Sequence, residues 1–140
     1  MKCDWWTDLP PWVHGVSKSK AIEVIERSPS SIVIFRLQGS GMRDTHDLFL
    51  EFKRKMSFPG YFGHNWPALE DCLFDMTWLP SPGGYLLLID DWSLVLSESK
   101  DEIPVLLRIL EDAGSSWSQY PEAGVPFNTL LVREDEEGDV

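Results

Sequence analysis

Cysteine is scarce in this sequence: Cys3 and Cys72 are the only two. That is too few for a disulfide framework, and the spacing is not that of a structural zinc site. Both read as reduced thiols of a cytoplasmic chain, with a Cys3–Cys72 disulfide left open. Long apolar runs are missing too. A stretch such as Tyr85-Leu86-Leu87-Leu88-Ile89 falls far short of the roughly 18 residues that cross a membrane, so no membrane partner is expected. Met1-Lys2-Cys3-Asp4 leads directly into Trp5 and Trp6, without the apolar segment of about 7–15 residues that marks a secretory signal. Histidine is limited to His14, His46 and His64, with no pair four apart and no cysteine cluster, so neither a metal nor another cofactor is expected. Internal repeats and low-complexity linkers are absent.

Basic residues are also in short supply, with 12 Lys and Arg against 23 Asp and Glu, a net charge of −11. The imbalance is local. Residues 1–60 carry nine basic and seven acidic side chains, residues 61–112 two and ten, and residues 113–140 one and six. The acidic portion would repel a phosphate backbone, which excludes nucleic acid as the expected partner. It would attract a basic protein and speed its association. Charge alone fits solubility equally well and does not locate a site.

What is present suffices for one folded domain: 140 residues, 43% of them hydrophobic. The Trp-rich residues 1–16, with Pro10-Pro11, are expected to run irregularly and dock aromatic side chains on the core. Ser19 to Arg27 reads as a short helix, and the β-branched run Ser31 to Leu37 as a strand buried on both faces. Asp44 caps a helix running to about Met56. The loop Phe58-Pro59-Gly60-Tyr61-Phe62-Gly63 follows, and Asn65 caps the next helix, where Pro67 is tolerated in the first turn. Trp66, Leu69, Leu73 and Met76 form that helix's core stripe. Gly84 to Ile89 and Phe127 to Val132 read as strands, with a helix from Asp101 to Ala113 between them. The expected fold is α/β: a single compact domain with a three-stranded parallel sheet flanked by helices. Residues 1–20 are expected to form an N-terminal extension, 21–132 the domain and 133–140 a solvated acidic tail. The free chain is expected to be a monomer.

Several motifs suggest chemistry. Gly39-Ser40-Gly41 lies between a strand and a helix like a dinucleotide turn, yet Asp44 stands at the third glycine position and opposes a pyrophosphate. A turn is the better reading. Cys72 beside His64 suggests a thiol nucleophile, but Cys72 shares the buried stripe, where thiols are inert. Glu70-Asp71 are adjacent on a helix and diverge by about 100°, so they do not converge on one atom for acid–base catalysis. Asp71 and Asp75, four apart, share one face. With Tyr61, His64 and Asn65 in the loop feeding that helix, they offer carboxylates, a phenol and an amide to a pocket of Arg, Lys and His.

The segment Phe58-Pro-Gly-Tyr-Phe-Gly-His-Asn-Trp-Pro-Ala-Leu-Glu-Asp-Cys-Leu-Phe-Asp-Met76 resembles the signature of the barstar family of ribonuclease inhibitors, and the resemblance extends over Ala21 to Val132. In that family a Pro-x-Tyr-(Tyr/Phe)-Gly-x-Asn loop leads into a helix ending Ala-Leu-x-Asp-Cys-Leu. The resemblance implies a three-stranded parallel sheet with helices around it, no catalysis, and a basic ribonuclease as partner. It implies that Asp71 occupies the place of an RNA phosphate, that Tyr61, Gly63 and Asn65 supply the loop contacts, and that Asp112 on the last helix adds an acid, with Glu111 one register away. His64, Glu70 and Asp75 complete the expected surface. Pro67 stands where many relatives have an acid, Glu70 where the type member has an aromatic, and Trp78 is a further candidate contact. Two alternatives stay open: a binding module for another basic toxin or regulator, and a small-molecule site near Asp90-Asp91, beyond the strand ends.

Overall fold

The computed structural model describes residues 10–76, 83–119 and 125–134. Strands β1 (Val13–Ser17), β2 (Ile32–Gln38), β3 (Gly84–Asp90) and β4 (Phe127–Arg133) form one sheet in the order β1-β4-β3-β2. Every neighbouring pair is parallel. Parallel strands need long crossovers, and helices provide them. Helix α1 (Lys18–Arg27) links β1 to β2, α2 (Thr45–Lys55) and α3 (Trp66–Asp75) lie between β2 and β3, and α4 (Ile103–Ser118) lies between β3 and β4.

Three of the four helices, α1, α2 and α3, start with a side-chain cap. Ser17 Oγ accepts from the Lys20 N–H (3.2 Å), Asp44 Oδ1 from Asp47 (2.8 Å), and Asn65 Oδ1 from Ala68 (2.8 Å). The period-2 alternation of the strands then divides the apolar residues between two cores. Tyr85, Leu87 and Ile89 of β3 face a large core shared with α2, α3 and α4, while Leu86 and Leu88 face a smaller one under α1.

The sheet corrects the expected count of three strands. The fourth, β1, comes from residues assigned to an irregular extension, and it pairs with β4 from Val13↔Thr129 to Ser17↔Arg133. Val-His-Gly-Val-Ser has neither a long β-branched run nor strict alternation, so its pairing is dictated by the distant β4. A second correction concerns β2, expected to be buried on both faces. It lies at the sheet edge and is mostly half-buried, whereas β3 is buried along its whole length.

An open edge invites unwanted pairing, and α2 covers part of this one. The Glu51 carboxylate accepts the Gln38 N–H (2.9 Å) and Lys55 Nζ donates to the Arg36 carbonyl (3.2 Å). Burial pushes the Glu51 pKa up, but the Gln38 N–H, Arg54 and Lys55 outweigh it and hold the carboxyl below its ordinary value of 4.5. Because the folded-state pKa is depressed, the stabilisation is present above the unfolded value and is lost as pH falls through the folded one. Glu51→Gln is expected to cost about 1 kcal/mol at neutral pH. Urea unfolding near about pH 3 should show a smaller difference from the parent chain; a gap that is unchanged there would contradict this role for the charge.

Gly39-Ser40-Gly41 forms a short 3-10 turn. A Cβ on Gly39 would lie 2.3 Å from the Asp91 carbonyl oxygen and 2.4 Å from that of Asp90, so the glycine is there for close packing against the end of β3. Cys3, Trp5, Trp6, Trp78 and the acidic run 135–139 lie outside the described residues.

Candidate functional site

The loop before α3 is shaped by alternating anchors. Phe58 and Phe62 are buried with ring centroids 5.0 Å apart, and the Phe62 N–H donates to the Pro59 carbonyl (3.0 Å), closing a turn. Tyr61, at the turn's crest, is 76% exposed. Ser57 (φ 55°) and His64 (φ 54°) are both left-handed without being glycine, a conformation that costs energy and recurs at functional loops. The His64 ring packs 5.0 Å from that of Phe62.

Two tryptophans pin α3 to α4. Trp66 Nε1 donates to Oε2 of Glu102, the residue just before α4 (2.9 Å), and Trp117 Nε1 of α4 donates to the Leu73 carbonyl (2.8 Å). Leu69, Cys72 and Leu73 point inward, Glu70 is half-buried, and Asp71, Phe74 and Asp75 are exposed. Burial pushes the Cys72 thiol up, with Asp71 and Asp75 adding to the effect, which disfavours the nucleophilic thiolate.

The charges of α3 run against its dipole. Helix α2 has Asp47 in its first turn and Lys53, Arg54 and Lys55 in its last, the stabilising order. Helix α3 has no acid in its first turn and no base in its last, where Asp75 sits. Asp71 and Asp75 also repel each other across one turn. Among the described residues, neither forms an ion pair with a cation.

The structure brings Glu70 and Asp112 together through Arg108, whose Nη1 lies 3.8 Å from Glu70 Oε2 and 3.6 Å from Asp112 Oδ2. Glu111 is turned elsewhere, accepting from the Trp12 N–H at 3.2 Å and 3.4 Å. Of the eight residues expected at the surface, Tyr61, Gly63, His64 and Asn65 lie in the loop and its helix cap. Glu70, Asp71 and Asp75 lie on α3, and Asp112 lies on α4. Sequence reasoning missed Phe74 and Arg108. The i,i+4 spacing of Arg108 and Asp112 was a readable signal; the contact with Glu70, 38 residues away in the chain, was not.

Other polar clusters answer their own charges. Beyond the strand ends, a cavity of about 140 Å³ is lined by Lys18, Arg36, Gln38, Asp90, Asp91, Arg133 and Glu134. There Arg36 grips Asp90 with two 3.2 Å bonds, and Lys18 lies 3.9 Å from Glu134. Asp44, His46 and Asp47 bring potential metal-ligand atoms within 4.8 Å of one another. However, Asp44 Oδ1 accepts from the Asp47 N–H, and His46 Nδ1 lies 3.3 Å from Asp47 Oδ1.

Fold and charge together define a small parallel α/β domain that presents, on the outer face of a helix beside a strained aromatic loop, acids without a cation partner among the described residues. A family model described as Barstar (barnase inhibitor) matches residues 32–132. The chain belongs to the barstar family. No curated protein matches it. Strand β1 and helix α1 precede the matched stretch, although both are integral to the sheet and its smaller core.

Proposed function

We propose that this protein is a cytoplasmic inhibitor of a basic ribonuclease, which it blocks by laying the Tyr61–Asp75 loop and helix over the enzyme's active site. The carrying observation is the pair of exposed carboxylates, Asp71 and Asp75, held on a pinned helix without a cation partner among the described residues. A carboxylate in that position accepts paired hydrogen bonds from arginines that otherwise hold an RNA phosphate. Tyr61, largely exposed at the turn, supplies rigid aromatic contact area of the kind enriched in binding hot spots. Family membership supports the reading, since the family is described by its inhibition of barnase. Asp112, tied to Arg108, sits at the edge of the same surface.

The test is RNA cleavage by barnase with increasing amounts of this protein. Stoichiometric loss of cleavage, relieved at high salt, is the expected result. Unimpaired cleavage at micromolar inhibitor, repeated with other basic ribonucleases, would overturn the nuclease reading and favour a different basic protein partner.

A further inference from the structure

We propose that Arg108 is the specificity-determining residue of this face, withholding Glu70 and Asp112 so that Asp71 and Asp75 alone read the partner's cations. The inference rests on the binding reading above.

In the acidic stretch 61–112 only Lys100 and Arg108 are basic. Arg108 is 61% exposed, so its guanidinium is not there to satisfy a buried acid. It stands between one carboxylate from α3 and one from α4, 3.8 Å and 3.6 Å away, and among the described residues it leaves Asp71 and Asp75 of α3 without a cation. The face is thereby divided. One part carries two acids with an internal cation; the other carries two acids one helical turn apart, Asp75 among them placed against the helix dipole. A diffusely basic surface gains from every free carboxylate within a screening length of about 8–10 Å. A pocket with its cations clustered opposite one turn of α3 gains chiefly from Asp71 and Asp75. Cutting the net charge of the Glu70–Asp112 group from −2 to −1 within the protein therefore lowers attraction to wrong partners more than to the right one, which is how repulsive elements create specificity.

The experiment compares the parent chain with Arg108→Gln and Arg108→Lys. Binding is measured to barnase, as the clustered-cation probe, and to hexalysine, as the diffuse one. Arg108→Gln should tighten hexalysine binding roughly threefold more than barnase binding, the scale of one screened charge at an exposed site. Arg108→Lys, which keeps the cation, should restore the parental ratio. A ratio that stays constant or moves the other way with Arg108→Gln would overturn the proposal. Asp71→Asn separates this from failure of the underlying reading: if it leaves barnase affinity unaltered, the binding face itself is wrong, whatever Arg108 does.

Discussion

Replacing Asp71 by alanine is expected to weaken binding to barnase by at least about 2 kcal/mol, roughly a thirtyfold rise in Kd. The side chain is exposed in the free protein, so binding strips its water, and only short charge-assisted bonds from the partner offset that cost. Truncation loses those bonds and leaves the partner's cations buried without a counter-charge, which makes the penalty larger than that of a rim contact. The two indole bonds that hold α3 on α4 enlarge the effect, because a face already fixed gives up little freedom on association. Asp135→Ala, in the acidic run after β4, changes net charge equally and should alter Kd by less than about 0.5 kcal/mol. Calorimetric titration of both variants at one ionic strength makes the comparison. Equal and small effects would mean that net charge, and not a phosphate-like carboxylate, governs binding.

Much of this candidate surface is legible in the sequence, for identifiable reasons. The Asn65 cap, the early Pro67 and the Leu69–Leu73 stripe are local signals, and they orient Asp71 outward without knowledge of the rest of the chain. What was not legible depends on residues distant in sequence. Glu111 and Asp112 are adjacent and chemically alike, so nothing local shows that Glu111 accepts from the Trp12 N–H while Asp112 faces Arg108. The burial of β2 was overestimated because a β-branched run reads the same at a sheet edge as at its centre. β1 was missed because its pairing rests on β4, more than a hundred residues later. The charge reading also narrowed. The acidic composition drew attention to the whole second half of the chain, whereas the structure shows many of those acids paired, among them Asp90, Glu134, Glu70 and Asp112.

The attachment of β1 yields the second large effect, at Gly114. This residue lies inside α4, where glycine costs roughly 0.5–1 kcal/mol relative to alanine, so a helix considered alone would gain from Gly114→Ala. The packing reverses the sign. A Cβ there would stand 2.3 Å from Trp12 Cβ, 2.4 Å from Trp12 Cγ and 3.0 Å from the Phe127 carbonyl oxygen. The first of these atoms sits next to the backbone, so the clash is not relieved by swinging a side-chain tip. Trp12 is in turn fixed on both sides, its N–H bonded to Glu111 and its carbonyl accepting from the Thr129 N–H at 2.8 Å. Gly114→Ala must therefore displace the segment that leads into β1, and a net loss of about 1–3 kcal/mol is expected in urea unfolding. The double variant Trp12→Gly, Gly114→Ala should be little less stable than Trp12→Gly alone, because removing the whole side chain, Cβ included, removes the two closest contacts. Additive losses would show that Gly114 serves something other than the docking of Trp12. The strand that the family match does not cover would then be held by other contacts.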